Sequence, residues 1–156
     1  SFMKQGEQIH QRRYSYLTSE IDSAYHAAAL KCGVSDSAMR ILYTICMHGD
    51  HCALSEIVHL SGISKQTINS SLRKLEAEGA VYLEHVGGKR KMVYLTSAGK
   101  QIAANSALRV QRIENDIFLS WPQEDRETYI SLLERFLSAF KEKVEELEHE
   151  DHYDQP

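Results

Sequence analysis

Between Lys65 and Tyr94 the hydrophobic period of the chain changes from helical to strand-like, and the change falls at Gly79. Ile68, Leu72 and Leu75 recur at spacings of four and three and make one apolar stripe, while Lys65, Gln66, Asn69, Ser70 and Arg73 lie elsewhere around the same helix. Beyond Gly79, Val81 and Leu83, then Val93 and Leu95, alternate in two short strands. Gly87-Gly88 between them permits a tight reversal that presents Lys89, Arg90 and Lys91. Ahead of this stretch, residues 55–64 read as a short helix, a turn at Gly62 and an N-cap at Ser64. This order predicts a mainly α fold with one small β-hairpin: a helix-turn-helix followed by a wing.

The exposed residue types point to nucleic acid. Gln66, Thr67, Asn69, Ser70 and Arg73 carry short donors and acceptors and one guanidinium, which can reach base edges in a major groove wide enough for a helix. Ser64, Lys65 and Lys74 are the candidate phosphate contacts, with the first backbone N–H groups of the helix beside Ser64. Lys89, Arg90 and Lys91 are the candidate wing contacts. A solvated amphipathic helix would explain the polar face by itself, because helix-turn-helix spacing is weakly specific. It does not explain a basic hairpin following so closely.

Net charge is -4 at pH 7, which opposes a nucleic-acid role if read as one number. Its distribution reverses the inference. Glu145, Glu146, Glu148, Glu150, Asp151 and Asp154 gather at the end of the sequence, whereas Lys65, Arg73, Lys74, Lys89, Arg90 and Lys91 gather in the reader. The acidic residues from 148 to 156 read as a disordered tail. At 156 residues and 42% hydrophobic content the chain can bury a core. Cys32, Cys46 and Cys52 form an odd set, and no signal-peptide pattern or membrane-length apolar run is present, so a reducing cytoplasm is the expected setting and no membrane is expected as a partner.

Long helices flank the reader. Ile9, Leu17, Ile21, Ala24 and Ala28 mark one side of a first helix, which Gly33 closes before Ser35 caps a second from about Asp36 to His48, with Leu42, Ile45 and Cys46 inward. After the hairpin, Thr96 caps a helix that reads as continuous to about Leu119, and Trp121-Pro122 breaks it. The last helix repeats Tyr129, Leu132, Leu133, Phe136, Leu137, Phe140, Val144 and Leu147, a stripe broad enough to need a partner surface. The expected organisation is an N-terminal dimerisation helix over 1–34, the winged helix-turn-helix over 35–98, C-terminal dimerisation helices over 99–147, and the tail. Packing of the last helix on its own reader is the rival. A homodimer would set two readers on a palindrome, with half-sites about 34 Å or a multiple apart.

Over nearly the whole chain this order resembles the MarR family of winged-helix transcriptional regulators. Local matches are Leu54-Ser55-Glu56-Ile57, Ser64-Lys65-Gln66-Thr67, Leu75-Glu76-Ala77-Glu78-Gly79 and Tyr94-Leu95-Thr96-Ser97-Ala98-Gly99. The resemblance implies a dimer built from the terminal helices, repression or activation of nearby genes, and often a ligand or oxidant that weakens DNA binding. The chain departs from the family where many members carry aspartate and arginine two apart in the wing: aligned on Leu95-Thr96, those positions are Gly87 and Lys89.

The signal is less legible. Met39, Tyr43 and Met47 share a helix face near where the family implies an effector pocket, and a small aromatic effector is one reading; core filling between domains is the other. His48, Asp50, His51 and Cys52 crowd one turn, with His26 and His59 as further imidazoles, yet no histidine occurs between His85 and His149, and no metal or other cofactor is expected. Cys32 ends a helix and Cys46 reads as core, which leaves Cys52 beside His51 as the candidate redox thiol. No phosphate loop or nucleophile constellation supports an enzyme. The expected function is a dimeric, sequence-specific DNA-binding repressor, the rivals being a winged helix that meets proteins and a thiol- or metal-responsive regulator.

Overall fold

The computed structural model describes residues 3–151, with the side chains of Gln5 and of residues 148–151 left aside. After a 3-10 turn at Gln5–Gln8, the elements are α1 (Ile9–Lys31), α2 (Asp36–Met47), β1 (His51–Ala53), α3 (Leu54–Ser61), α4 (Lys65–Ala77), β2 (Val81–His85), β3 (Lys91–Leu95), α5 (Ser97–Ala104), α6 (Ala107–Ser120) and α7 (Gln123–Asp151). The chain divides into two compact units, residues 1–112 and 113–156. The fold is mostly helical with a small antiparallel sheet, a winged helix.

In the first unit the core lies between α2, α3, α4 and the sheet. Ile41, Leu42 and Ile45 of α2, Ile57 of α3, Ile68, Leu72 and Leu75 of α4, and Val81, Val93 and Leu95 of the strands are all buried together. The expected stripe of α4 is thus its buried face. Ser35 caps α2 by accepting from the Ala38 N–H at 3.1 Å, as its sequence position implies.

The sheet has one strand more than the hairpin. β3 lies in the middle, paired antiparallel with β2 over Val81↔Leu95 to His85↔Lys91, and with β1 over His51↔Tyr94 to Ala53↔Met92. Period 2 then sorts the side chains. Cys52, Val93 and Leu83 line up across the core face, with Cys52 and Val93 buried and Leu83 half-buried. On the opposite face His51, Tyr94 and Tyr82 stack in a row, with centroids 5.0 Å apart in each step. The turn expected to hold His48, Asp50, His51 and Cys52 is therefore partly strand. Three residues are too short for an alternating pattern to declare itself.

Two further expectations need correction. The helix after Thr96 is broken at Asn105-Ser106, where the Ser106 hydroxyl donates to the Ile102 carbonyl at 2.6 Å and the Ser106 N–H turns to the Ala103 carbonyl at 3.2 Å. That side-chain bond competes with the backbone ladder at the place where α5 ends. The last helix continues through residues 148–151, where the sequence predicts a disordered tail; the rest of that tail, 152–156, lies outside the described residues.

Within the second unit, Phe118, Trp121 and Tyr129 pack edge to face around the α6–α7 turn, with Trp121 at 5.4 Å from Phe118 and 5.5 Å from Tyr129. The Pro122 carbonyl accepts from the Asp125 N–H at 3.0 Å, so proline sits just ahead of the first turn of α7. Among the described residues no helix is long and apolar enough to cross a membrane.

Candidate nucleic-acid interface

Gly62 closes α3 in the left-handed region, at φ 70°, a conformation that costs a residue with a Cβ about 1–2 kcal/mol. Two residues later Ser64 opens α4: its hydroxyl oxygen accepts from the Thr67 N–H at 3.2 Å and its O–H reaches the Thr67 hydroxyl at 2.9 Å. The turn between the helices is therefore set by one glycine and one cap.

The helix phase decides which residues can enter a groove. Counting about 100° per residue, Gln66, Ser70 and Arg73 fall within about 60° of one another, opposite the buried row of Ile68, Leu72 and Leu75. All three are exposed. Lys65 and half-buried Asn69 lie on the flank toward the wing. Thr67 and Lys74 lie on the other flank, where Lys74 borders a concavity of about 260 Å³ formed with Cys32, Val34, Ser71 and Glu78. Seven α4 candidates thus divide into a central strip and two edges, with Ser64 as the cap ahead of them.

The wing carries only part of the expected basic tip. The Val86 N–H donates to the Arg90 carbonyl at 3.0 Å and the Arg90 N–H to the Gly87 carbonyl at 3.2 Å, with Gly87 and Gly88 at φ 94° and 60°. The second bond closes a turn over residues 87–90 with Gly88 and Lys89 at its corners, so Lys89 is at the tip, while Arg90 and Lys91 begin the returning limb, Lys91 already within β3. These three line a cleft of about 460 Å³ with Lys65 and Asn69, over Leu54, Ser55 and Val58 of α3. The contribution of α3 has no signature in the sequence, because nothing in residues 54–58 marks them except the helix period they share with any buried helix.

The other candidates separate. Met39 is buried in the core, Tyr43 is half-buried with its carbonyl accepting from Gln111 Nε2 at 2.9 Å, and Met47 is 62% exposed, so one helix face does not make them walls of one cavity. Cys52 is 2% exposed, which corrects the picture of an accessible thiol. His51 projects from the opposite face of β1, stacked on Tyr94 and hydrogen-bonded to Asp50 at 2.9 Å. His48 Nδ1 lies 3.7 Å from the Cys52 sulfur and 3.0 Å from the Thr44 carbonyl. Since a carbonyl only accepts, Nδ1 carries its proton when it makes that bond and cannot take one from the thiol.

Burial, and then the nearby Glu56 carboxylate, push the Cys52 thiol above its ordinary value; burial does the same to Cys46. Thiolate is therefore scarcer than in a free cysteine at any given pH and becomes plentiful only further into the alkaline range. At neutral pH a chromogenic disulfide reagent is expected to label Cys52 only after denaturant is added. Prompt labelling of that residue in the folded protein would contradict the assignment. Asp50 moves the other way, held below the usual carboxylate range by its hydrogen bonds to His51 and then Lys100. Among the described residues no group of three or more His, Cys, Asp or Glu side chains is placed to hold a metal ion.

A family model described as MarR family matches residues 33–91, from the turn after α1 to the first residue of β3. Over residues 33–91 the chain is similar to the MarR family. A MarR family regulator from Neisseria meningitidis superposes with a TM-score of 0.75 at 17% identity, covering 92% of this chain and 99% of that one. A MarR family transcriptional regulator from Streptomyces coelicolor, solved in complex with DNA, gives 0.71 at 14% identity, covering 89% and 94%. BpsR of Bordetella bronchiseptica, whose DNA binding is regulated by 6-hydroxynicotinic acid, gives 0.60 at 16%, covering 80% and 98%. At these identities the likeness is one of fold. No curated protein matches the chain in sequence.

Proposed function

We propose that the protein is a sequence-specific regulator that binds a palindromic operator as a homodimer and represses transcription from it in the cytoplasm. The observation that carries this reading is the face of α4: a strip of Gln66, Ser70 and Arg73, with Asn69 beside it, flanked by a cleft lined with four cations. Bases are read from the strip, and the flanks hold phosphate. Ser64 and Lys65 serve the near backbone, Lys74 and Thr67 the far side, and Lys89, Arg90 and Lys91 the strand beside the wing. The helices outside 35–98 supply the dimer.

Support comes from the family of residues 33–91 and from a relative of the same fold solved with DNA. A second relative's regulation by 6-hydroxynicotinic acid supports release by a small aromatic effector, with Tyr43 and Met47, the accessible members of that helix face, to probe first and Met39 in the core behind them. Selection from a random duplex pool tests the whole reading. An enriched palindrome, bound with a steep dependence on salt, is the expected result. Absence of enrichment together with salt-independent retention would leave a winged helix that meets proteins.

Arg73→Ala is expected to weaken operator binding by about 1–3 kcal/mol and to relax preference at one base pair of each half-site. Competition titration against operators altered at single positions measures both effects. A loss equal on every sequence would make Arg73 a backbone contact.

A further inference from the structure

The wing and the first turns of α4 face one another across a single cleft. Lys65 and Asn69 form one wall, Lys89, Arg90 and Lys91 the other, and Leu54, Ser55 and Val58 complete the lining. No carboxylate lines it. None of the four cations takes part in an ion pair among the described residues. Four like charges around a concavity of about 460 Å³ repel one another, and an anion placed between them relieves that repulsion.

We propose that Lys65 and the wing cations hold one phosphate of the DNA backbone between them, so that the wing clamps the strand and does not read bases in the minor groove. The inference rests on the DNA-binding reading above and specifies what the wing does in it. A wing that reads a minor groove needs a long side chain projecting from its end. Here the one long side chain at the corners of the turn, Lys89, lines the cleft beside α4 together with Arg90 and Lys91. The hydrogen bonds between Val86, Gly87 and Arg90 hold that reversal closed. Ammonium and guanidinium groups meet phosphate oxygens through short charge-assisted bonds, and the apolar parts of Leu54 and Val58 suit the adjoining sugar. Because α4 and the wing grip the same group, the clamp fixes how far α4 slides along the major groove.

The test uses the selected operator with each backbone phosphate replaced in turn by a neutral methylphosphonate. One position in each half-site is expected to weaken wild-type binding by about tenfold or more. The same replacement is expected to cost Lys65→Gln, and a Lys89→Gln, Arg90→Gln, Lys91→Gln triple variant, clearly less than it costs the wild type, at the same phosphate in both. Both variants should lower the salt slope by about one for each phosphate that is no longer neutralised, and leave the A·T preference of flanking positions unchanged. Two different sensitive phosphates, one for each variant, would overturn the shared clamp. So would a triple variant that keeps its salt slope and loses the A·T preference. A wild type that binds no duplex at all would defeat the DNA reading itself, and that outcome is visible before any variant is made.

Discussion

Gly99→Val is expected to leave residues 1–112 without a stable fold. A Cβ built on Gly99 would overlap the Ala80 carbonyl oxygen and lie 2.9 Å from its carbon, and these are backbone atoms with no rotamer to retreat into. The helix N-terminus must then move off the start of β2. That contact is a junction of three elements: the Thr96 hydroxyl reaches the Gly79 carbonyl at 2.5 Å and the Ala80 carbonyl at 3.1 Å, and its oxygen accepts from the Gly99 N–H at 3.0 Å. The Thr96 N–H also donates to the Ala80 carbonyl, at 3.0 Å. Overpacking in a core typically costs about 1–3 kcal/mol, and here the obstacle is main chain, so about 3 kcal/mol or more is expected for valine. Alanine at the same place should already lower the melting temperature by several degrees, on the order of 4–8 °C per kcal/mol for a unit near 100 residues. A thermal melt of the two variants followed by circular dichroism decides it, and a wild-type melt for Gly99→Val would show that α5 docks differently.

Gly79 needs glycine for a different reason. Around it an added Cβ meets nothing within 4 Å, but φ is 75°, so alanine there is strained by backbone conformation alone, at about 1–2 kcal/mol. Gly99 carries no such strain and is needed for space. The matches at Leu75 to Gly79 and at Tyr94 to Gly99, two separate stretches in the sequence, are the two sides of this one junction. It holds the wing in a fixed relation to α4, which is what lets Lys65 and Lys91 border the same cleft.

What could be read ahead of the structure follows from pattern length. α4 spans 13 residues, enough turns for Ile68, Leu72 and Leu75 to define a phase and so to sort the polar residues into a strip and two flanks. β2 and β3 show alternation over five residues each. β1 has three residues and no readable period, and that omission misplaced the thiol. Next to one another in a turn, His51 and Cys52 look like a reactive pair; next to one another in a strand they point to opposite faces. The break between α5 and α6 was hidden for another reason. Ala103, Ala104 and Ala107 favour continued helix, and the interruption comes from a serine hydroxyl bonding back to Ile102 at a position whose exposure is 0%. The cleft was legible only by its charges, since its closure depends on the direction in which the hairpin returns.

Leu137→Glu is expected to convert a dimer into a monomer and to remove high-affinity operator binding with it. The described part of α7 leaves Leu133, Phe136, Leu137, Phe140 and Val144 exposed in the single chain, each at 40% or more, although they recur at helical spacing. Phe136 and Phe140 stack at 5.7 Å, so the stripe is ordered within the helix. In α1, Ile9, Leu17 and Ile21 are likewise exposed, at 58%, 51% and 47%, so the face expected to be covered is open in this helix too. A continuous apolar face of this kind on the dimeric regulator proposed above is best covered by its own copy. In a two-fold interface every substitution acts twice. With about 1.5–3 kcal/mol for a buried large apolar side chain, Leu137→Glu should cost about 3–6 kcal/mol, which weakens dimerisation by roughly a hundredfold to ten-thousandfold. A palindrome then binds one reader at a time. Sedimentation of wild type and variant over a range of concentrations, with Leu137→Met as the volume-conserving control, measures the first effect, and titration of a half-site against the full palindrome measures the second. If the wild type sediments as a monomer at micromolar concentration, or if the glutamate variant still favours the full palindrome, the stripe on α7 covers something other than its own copy.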